Sequence, residues 1–499
     1  NLQTMQAGKS WQASWVRDNT GLEVQRTFSG GVTVSTERDG FGREVRKSVR
    51  VGGIERGAYR YEWGITNRLL SKENELTGTV MRYDYDRFDF LIRQETIQGS
   101  ETDVIYRMPD FVGNLFETPD KKDRKYGAGG KLLEDPDCFY HYDNEGNLVF
   151  REFKELRGSD IRYDRKRMKK ERGISFLATG TGWNYKWNSN GTLKKVIRPD
   201  GRPVEFQYDA LGRRTSKQYF GKKTRWIWNG NVPLHEWSYK VTDEQSNEEE
   251  NIQKEPTEDI ITWVFEVGTL IPTAKMLDSK QHSIVSDHLG TPIQMYDEQG
   301  NKIWDCILNI YGKVTSFKGS SLGDCPFRFQ GQYEDEETEL YYNRFRYYSP
   351  NLGNYVSQDP IEFAGNNPTF YGYVYDTNSG LDLFGLNIVT VYHYTSKKSY
   401  NKISSQSPYV FKASIPKKGN PKGVYVTTKS PEILAKNNNG YKKLGLTGNK
   451  SSHFFEIQID DSKLKSLNGD RGQFIKYIDG DVEIDRSSVT RHGETPKIH

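Results

Sequence analysis

The sequence predicts a mainly β protein that ends in a small α+β domain. Its 31 Tyr, 24 Phe and 10 Trp residues are types that favour strands. A short pattern of an aromatic residue, Asp or Asn, and then Gly recurs along most of the chain. After about residue 386 the pattern stops and a stretch of different composition begins. These observations predict a large β region built from repeats, followed by a separate compact domain.

The repeated pattern predicts strand pairs joined by tight turns. In each unit the aromatic residue ends a strand with a large packing face, Asp or Asn bonds the turn backbone, and Gly supplies a positive φ. Successive units can pair edge to edge, although an ordinary antiparallel sandwich is the alternative. The acidic stretch 241–259 interrupts the pattern and predicts a solvated loop. The clearest copies are His141–Leu148, Lys186–Leu193, Gln207–Arg214 and Met295–Lys302.

Charge is distributed unevenly along the chain. Residues 387–499 contain 19 Lys and Arg against 10 Asp and Glu, whereas the first 386 residues contain 52 and 57. Opposite charges on the two regions would help to hold them together, and a basic domain on its own would be attracted to polyanions.

Cysteines and apolar runs exclude several classes of protein. The three cysteines lack the paired spacing of a metal site or a disulfide framework, so we predict no metal and a reducing compartment. The sequence contains no apolar run of about 18 residues, so it predicts no membrane-spanning helix. The chain starts at Asn1 without an initiator Met, and we expect it to be part of a longer protein.

Three aromatic motifs precede the change in composition. With the Asp382–Leu386 stretch that follows them, they resemble the core-associated region of Rhs (YD-repeat) polymorphic toxins. The resemblance implies a YD-repeat β-cocoon shell over residues 1–326, a core-associated segment over 327–386 and a toxin domain over 387–499. The motifs are Phe327–Tyr333, Leu340–Pro350 and Gly353–Pro360.

In that family the core-associated segment is an aspartyl autoprotease. The resemblance places Asp359 and Asp382 on its two aspartates and implies self-cleavage after Leu386. A carboxylate pair that shares one proton can activate water and protonate the leaving amide. Glu362 stands where the family usually has Gly, and Leu383 where it usually has Pro. The alternative is that Asp359 belongs to a simple turn at the end of a strand.

The last domain carries a second set of motifs. His393-Tyr394-Thr395 ends a predicted strand, and Gly423–Thr427 is a predicted strand followed by a Ser-Pro-Glu helix start. This order resembles ADP-ribosyltransferase toxins of the histidine-tyrosine type. The resemblance implies that His393 and Thr395 bind the adenosine-side ribose of NAD and that Tyr425 stacks on nicotinamide. By itself, however, each of these residues is more often structural.

The same resemblance implies an acidic residue that stabilises the ribose cation. Glu483 lies late in the domain, where many relatives carry a strand-borne Glu, and it is the favoured candidate. Asp460 at the end of a strand is the alternative acid, and Gln473 is a third candidate if the lineage lacks the acid.

Together these features predict a toxin for competition between bacteria. We expect it to be made in the cytoplasm and delivered into a target cell through secretion machinery that engages a missing N-terminal region, with a cognate immunity protein. The basic domain favours RNA or another macromolecule as the ADP-ribose acceptor. The alternatives are a metal-independent ribonuclease that uses His393 or His453 as general acid or base, and a non-enzymatic surface protein.

Overall fold

The structure of the protein is a computed structural model. It describes residues 2–7, 11–19, 21–154, 182–241, 255–278, 280–360, 369–386, 388–414, 421–427, 429–431, 434, 441, 444, 446, 448–460, 464–466, 475–484 and 486–495. Most of the predicted acidic loop, residues 242–254, lies outside this described part.

In the described residues, ten antiparallel strands form a first sheet in which each strand pairs with the next one in the chain. A short two-stranded sheet follows it. The first sheet consists of β1 Leu2–Ala7, β2 Trp11–Arg17, β3 Glu23–Phe28, β4 Val32–Arg38, β5 Glu44–Val51, β6 Ile54–Trp63, β7 Leu69–Asn74, β8 Thr79–Tyr85, β9 Leu91–Gln98 and β10 Glu101–Tyr106. The short sheet consists of β11 Met108–Pro109 and β12 Leu115–Phe116.

A second large sheet repeats this architecture over sixteen described strands, again paired in chain order. Its strands are β13 Lys125–Tyr126, β14 Leu132–Glu134, β15 Cys138–Tyr142, β16 Leu148–Phe153, β17 Gly182–Trp187, β18 Leu193–Ile197, β19 Pro203–Tyr208, β20 Arg214–Tyr219, β21 Lys222–Asn229, β22 Val232–Lys240, β23 Ile261–Phe265, β24 Pro272–Leu277, β25 Lys280–Ser286, β26 Pro292–Tyr296, β27 Lys302–Leu308 and β28 Val314–Lys318.

The turns between these strands form for the predicted reason. In the turn between β19 and β20, the Asp209 carboxylate accepts the backbone N–H of Leu211 at 2.9 Å and of Arg213 at 2.8 Å. Gly212 has φ 73° and donates its N–H to the Asp209 carbonyl at 3.0 Å. A positive φ costs Gly less than any other residue, so the Asp and the Gly together close the turn locally.

The aromatic residue before each turn has an additional role. The Tyr208 hydroxyl donates to the Leu193 carbonyl at 2.7 Å, and the Trp187 indole N–H donates to the Leu148 carbonyl at 2.8 Å. In both cases the acceptor follows the turn of the preceding unit. In these two units the polar end of the ring therefore ties one unit to its neighbour, through a bond that Phe could not make.

The two large sheets pack face to face. The Trp11 indole donates to Ser283 at 3.2 Å, and the Ile310 N–H donates to the Gln94 side chain at 2.9 Å. Lys47 reaches across to the Ser286 carbonyl at 2.9 Å. Buried side chains of β2, β6 and β9 form one hydrophobic core with those of β24, β25 and β26.

The segment predicted as core-associated packs on the second sheet. Leu340, Tyr342 and Tyr347 share a buried cluster with Tyr185 and Phe206 of that sheet. The segment forms a four-stranded sheet of β29 Tyr333–Asp335, β30 Leu340–Asn343, β31 Arg346–Ser349 and β32 Asn354–Tyr355.

The last domain is α+β, as the sequence predicts. Its described elements are β33 Ile388–Thr395, α1 Lys397–Ser404, β34 Tyr409–Phe411, β35 Gly423–Thr427, β36 His453–Asp460, β37 Lys465–Ser466, β38 Ile475–Asp479, β39 Val482–Ile484 and β40 Val489–Glu494. In these residues, a six-stranded sheet has the order β37-β38-β35-β33-β36-β40, and a two-stranded sheet pairs β34 with β39. No helix of the described residues is both long and apolar enough to cross a membrane.

Candidate active sites

Two buried carboxylates meet at one guanidinium in the core-associated segment. Arg346 Nη2 lies 2.9 Å from Asp359 Oδ2 and 3.3 Å from Asp382 Oδ2. Asp359 is 2% exposed, while Asp382 and Arg346 are 0% exposed. The guanidinium stacks on the Tyr355 ring, 3.7 Å from its centroid. The fold therefore brings together the two aspartates that the sequence analysis singled out.

Asp382 also contacts the predicted cleavage point. Its Oδ1 accepts the Leu386 N–H at 2.9 Å, and its Oδ2 accepts the Tyr355 hydroxyl at 2.7 Å. Burial raises the pKa of Asp382 to about 6, although Arg346 and these hydrogen bonds oppose the rise. A carboxyl with this pKa can hold a proton close to neutral pH.

The stretch Asp382–Leu386, which we call the junction segment, is bound along its backbone. The Asn343 side-chain amide donates to the Asp382 carbonyl at 2.8 Å, and the Phe345 N–H donates to the Phe384 carbonyl at 3.1 Å. Arg346 Nε donates to the Gly385 carbonyl. The turn between β30 and β31 therefore holds three of the five carbonyls of the segment in place.

Sequence reasoning missed Arg346 and Tyr355, which complete this site. Both lie in aromatic motifs that also form strands, so nothing in their local pattern distinguished them from packing residues. A basic residue among buried aromatics was the one available signal, because a buried cation requires a partner. Of the two departures from the family pattern, Leu383 is buried and Glu362 lies outside the described residues.

In the last domain, His393 lies at a gap in the six-stranded sheet. Strand β33 pairs with β36 along its whole length, but in the described residues it pairs with β35 at Tyr392 and Thr427 alone. His393 Nδ1 lies 3.0 Å from the Tyr425 carbonyl. Burial lowers the pKa of His393, so the ring is neutral at pH 7. Since a carbonyl can only accept, Nδ1 carries the proton and Nε2 is an acceptor.

The other two predicted NAD-binding residues lie close to this gap. Thr395 is buried at the end of β33. Tyr425 is half-buried, with its ring 6.1 Å from the Tyr477 ring. Because side chains alternate along a strand, the Tyr425 ring faces away from the side on which Val424 and Val426 pack with Phe411. The His393 ring contacts Phe411, so the His393 and Tyr425 rings lie on different sides of β35.

The three candidates for the catalytic acid are placed differently. Glu483 is exposed on β39 opposite Val410, and no described contact joins it to His393. Asp460 ends β36 opposite Ile388, so five residues of strand, about 17 Å, separate its backbone from the level of His393. Gln473 lies outside the described residues.

A second histidine cluster lies on the same domain. His492 is buried, with Nδ1 2.7 Å from the Tyr400 hydroxyl and Nε2 3.4 Å from the Tyr409 hydroxyl. Burial, with Arg17 and Arg486, lowers its pKa to about 3. His453 packs on Tyr400. Within the described residues, no group of three or more His, Cys, Asp or Glu side chains is arranged to hold a metal ion.

Comparison with known proteins covers both parts of the chain. The teneurin YD-shell family model matches residues 16–379, and a model described as HYD1 signature containing ADP-ribosyltransferase matches residues 391–487. The crystal structure of TcdB2-TccC3 aligns with a TM-score of 0.37 and 18% identity over 75% of this chain and 22% of that one.

Two curated relatives are toxins or nucleases by name. The probable deoxyribonuclease RhsB of Dickeya dadantii is 29% identical over 390 residues, which cover 74% of this chain and 24% of that protein. Toxin protein Tse5 of Pseudomonas aeruginosa is 25% identical over 426 residues, which cover 74% and 32%. This chain therefore spans a third or less of either relative. With most of its length matched by the shell model, the chain belongs to the teneurin YD-shell family, is similar to Rhs-family toxins over about three quarters of its length, and has a C-terminal ADP-ribosyltransferase-type domain.

Proposed function

We propose that the shell of this toxin encloses its last domain and releases it by aspartyl self-cleavage after Leu386, and that the released domain transfers ADP-ribose from NAD to a target macromolecule. The observation that carries the proposal is the buried pair of Asp359 and Asp382 on Arg346, with Asp382 bonded to the Leu386 N–H. Three buried ionisable groups around a single peptide segment are more than packing requires.

The cleavage chemistry needs one water molecule and one shared proton. Asp359 acts as the base that takes a proton from water, and the water oxygen adds to the Leu386 carbonyl carbon. Asp382, whose pKa is about 6, donates its proton to the nitrogen of Asn387 as the C–N bond breaks. The products are a Leu386 carboxylate and an Asn387 amine. Arg346 acts as a positioning residue, because its charge keeps the two carboxyls close together without both being neutral.

The transfer chemistry uses residues on both sides of the gap between β33 and β35. NAD supplies the ADP-ribose group. His393 Nε2 is the acceptor of a neutral ring, which suits it to take a hydrogen bond from a ribose hydroxyl, with Thr395 beside it. Tyr425 stacks on the nicotinamide ring. Glu483, or Asp460 or Gln473 in its place, stabilises positive charge on the ribose while the bond to nicotinamide breaks and the acceptor attacks.

The biological setting is proposed from the toxin family and from charge. The basic last domain favours ribosomal RNA, another nucleic acid or a protein as the acceptor. A toxin of this kind is made in the bacterial cytoplasm and delivered into a target cell by secretion machinery, and its producer needs a cognate immunity protein. Type VI secretion is the route we favour.

Intact-protein mass spectrometry under denaturing conditions tests the release step. Wild type is expected to give two fragments, the second starting at Asn387, while Asp382→Asn gives one uncut chain. Incubation of the cut protein with labelled NAD then tests transfer. Two fragments without NAD consumption would leave self-cleavage standing and reject the transferase role.

A further inference from the structure

We propose that Leu383 and Phe384 are the recognition residues for self-cleavage and that the shell, rather than the protease segment, supplies the pockets that recognise them. This proposal rests on the proposed self-cleavage after Leu386. It makes the cut depend on correct pairing of shell hairpins that lie about a hundred residues earlier in the chain.

The junction segment is held through its backbone. Asn343, Phe345 and Arg346 bond to its carbonyls. These backbone contacts do not depend on which side chains the segment carries. Backbone hydrogen bonds of this kind fix the register of a bound strand, whereas selectivity comes from pockets for its side chains. Within the junction segment, the side chains of Leu383 and Phe384 occupy such pockets.

Leu383 fills a closed apolar socket. It is 1% exposed and packs in one cluster with Leu270 and Leu381, flanked by Val232 and Leu289. The segment also lies close to the backbone beneath it. A side chain added at Gly331 would place its Cβ 2.4 Å from the Leu383 carbonyl oxygen, so only Gly fits there.

The socket is built from the ends of three neighbouring hairpins. Val232 begins β22, Leu270 lies in the turn before β24, and Leu289 lies in the turn before β26. The Gln330 side chain donates to the Leu289 carbonyl at 2.9 Å, which ties the third turn to the core-associated segment. These residues converge only when the hairpins are paired in register. A family position that usually carries Pro therefore carries Leu here, because a specific socket receives it.

Phe384 lies at the edge of a small cavity that adjoins the Leu383 socket. The cavity has a volume of about 40 Å³ and is bounded by Leu383 and Phe384 on one side. Its other walls include Trp228, Phe265 and Arg344. Phe384 is half-buried, so its ring is not fully enclosed. A somewhat larger aromatic side chain can therefore be accommodated, whereas a positively charged side chain would lose its water beside Arg344 without gaining a partner.

Time courses of cleavage during cell-free synthesis of the full chain test the proposal. Leu383→Ala and Leu270→Ala are each expected to slow cleavage by on the order of 30-fold, as loss of a buried leucine predicts. Leu383→Met and Phe384→Trp are expected to cut within about threefold of wild type. Phe384→Lys is expected to slow cleavage on the order of 100-fold, because the Lys side chain would lie beside Arg344 without a partner. Intact mass gives the cut fraction at each time.

Leu193→Ala is the matched control, because Leu193 is also buried in the second sheet but lies away from the socket. Melting temperatures of all variants report general destabilisation. If Leu383→Ala and Leu270→Ala cut as fast as Leu193→Ala, the recognition role is overturned although self-cleavage stands. A wild type that stays uncut overturns self-cleavage and this role with it.

Discussion

The proposed protease site and the proposed NAD site of this chain differ in how completely the described residues assemble them. At the protease site, Asp359 and Asp382 share one buried cation and one of them bonds to the junction segment. At the proposed NAD site, His393 bonds to the backbone of Tyr425 rather than to its ring, and the candidate acids lie apart from both. The residues of the first site contact one another directly, whereas those of the second lie around a gap in a sheet.

The difference follows from what holds each site together. Buried charges have a strong preference for one another and for a single geometry, because leaving any of them unpaired is costly. Aromatic and hydroxyl groups of a nucleotide site carry no charge that must be paired within the protein. The bound ligand supplies their partners instead.

The largest effect is expected from the carboxylate pair. Asp359→Asn and Asp382→Asn each remove half of the acid–base pair and are expected to slow cleavage by at least on the order of 1,000-fold. Asp376→Asn is the control, because Asp376 is a buried Asp of the same segment that bonds Ser379 instead of Arg346. Intact mass after expression measures the cut fraction. Cleavage in Asp359→Asn at the wild-type rate would reduce the site to a structural ion cluster.

At the NAD site, His393→Ala is expected to lower NAD consumption on the order of 100-fold, because the ribose loses a fixed acceptor. His453→Ala is the matched control, since His453 is a buried histidine on the neighbouring strand, opposite Thr395. Release of labelled nicotinamide measures both.

Comparison of Glu483→Gln, Asp460→Asn and Gln473→Ala in the same assay identifies the acid. Equal loss in His393→Ala and His453→Ala would point instead to general destabilisation of the sheet.

The pH profile of cleavage sharpens the role of Arg346. Asp382 must be protonated to act as the acid and its pKa is about 6. Cleavage is therefore expected to fall about tenfold per pH unit above that value. Arg346 lowers the pKa of Asp382, so Arg346→Gln is expected to move the falling limb to higher pH while lowering the maximum rate. If Arg346→Gln leaves the pH at which cleavage falls unchanged, Arg346 does not set the pKa of Asp382. Rates from cell-free synthesis at several pH values provide the test.

The smallest effect concerns His492 in the last domain. Its pKa is lowered to about 3 from an ordinary 6.5, so the unfolded chain binds one more proton than the folded domain between these values. The free energy of unfolding is therefore expected to be highest above pH 6.5 and to fall by about 1.4 kcal/mol per pH unit as the pH drops below it. Hydrogen exchange of β36 measures this slope. His492→Gln is expected to remove it, while His141→Gln, in the exposed part of β15, keeps it.

The sequence was sufficient for the repeat, the turn chemistry and the two aspartates, because each depends on local patterns or on a specific motif. The Asp209 turn, for example, is closed by its own residues. The tie from Tyr208 to Leu193 and the partnership of Arg346 with both aspartates were not predictable, since they join residues whose separation only the fold sets. The same reason explains why the strand pattern around Glu483 and Asp460 did not show how far either lies from His393.

One feature of the shell bears on the order in which the molecule forms. Within each large sheet, every described strand pairs with the next one to leave the ribosome, and such local contacts form quickly. The hairpins from β21 to β26 can therefore be complete while the junction segment is still being synthesised. If the proposed self-cleavage needs Val232, Leu270 and Leu289, the order of translation ensures that the shell hairpins are paired before the last domain is released.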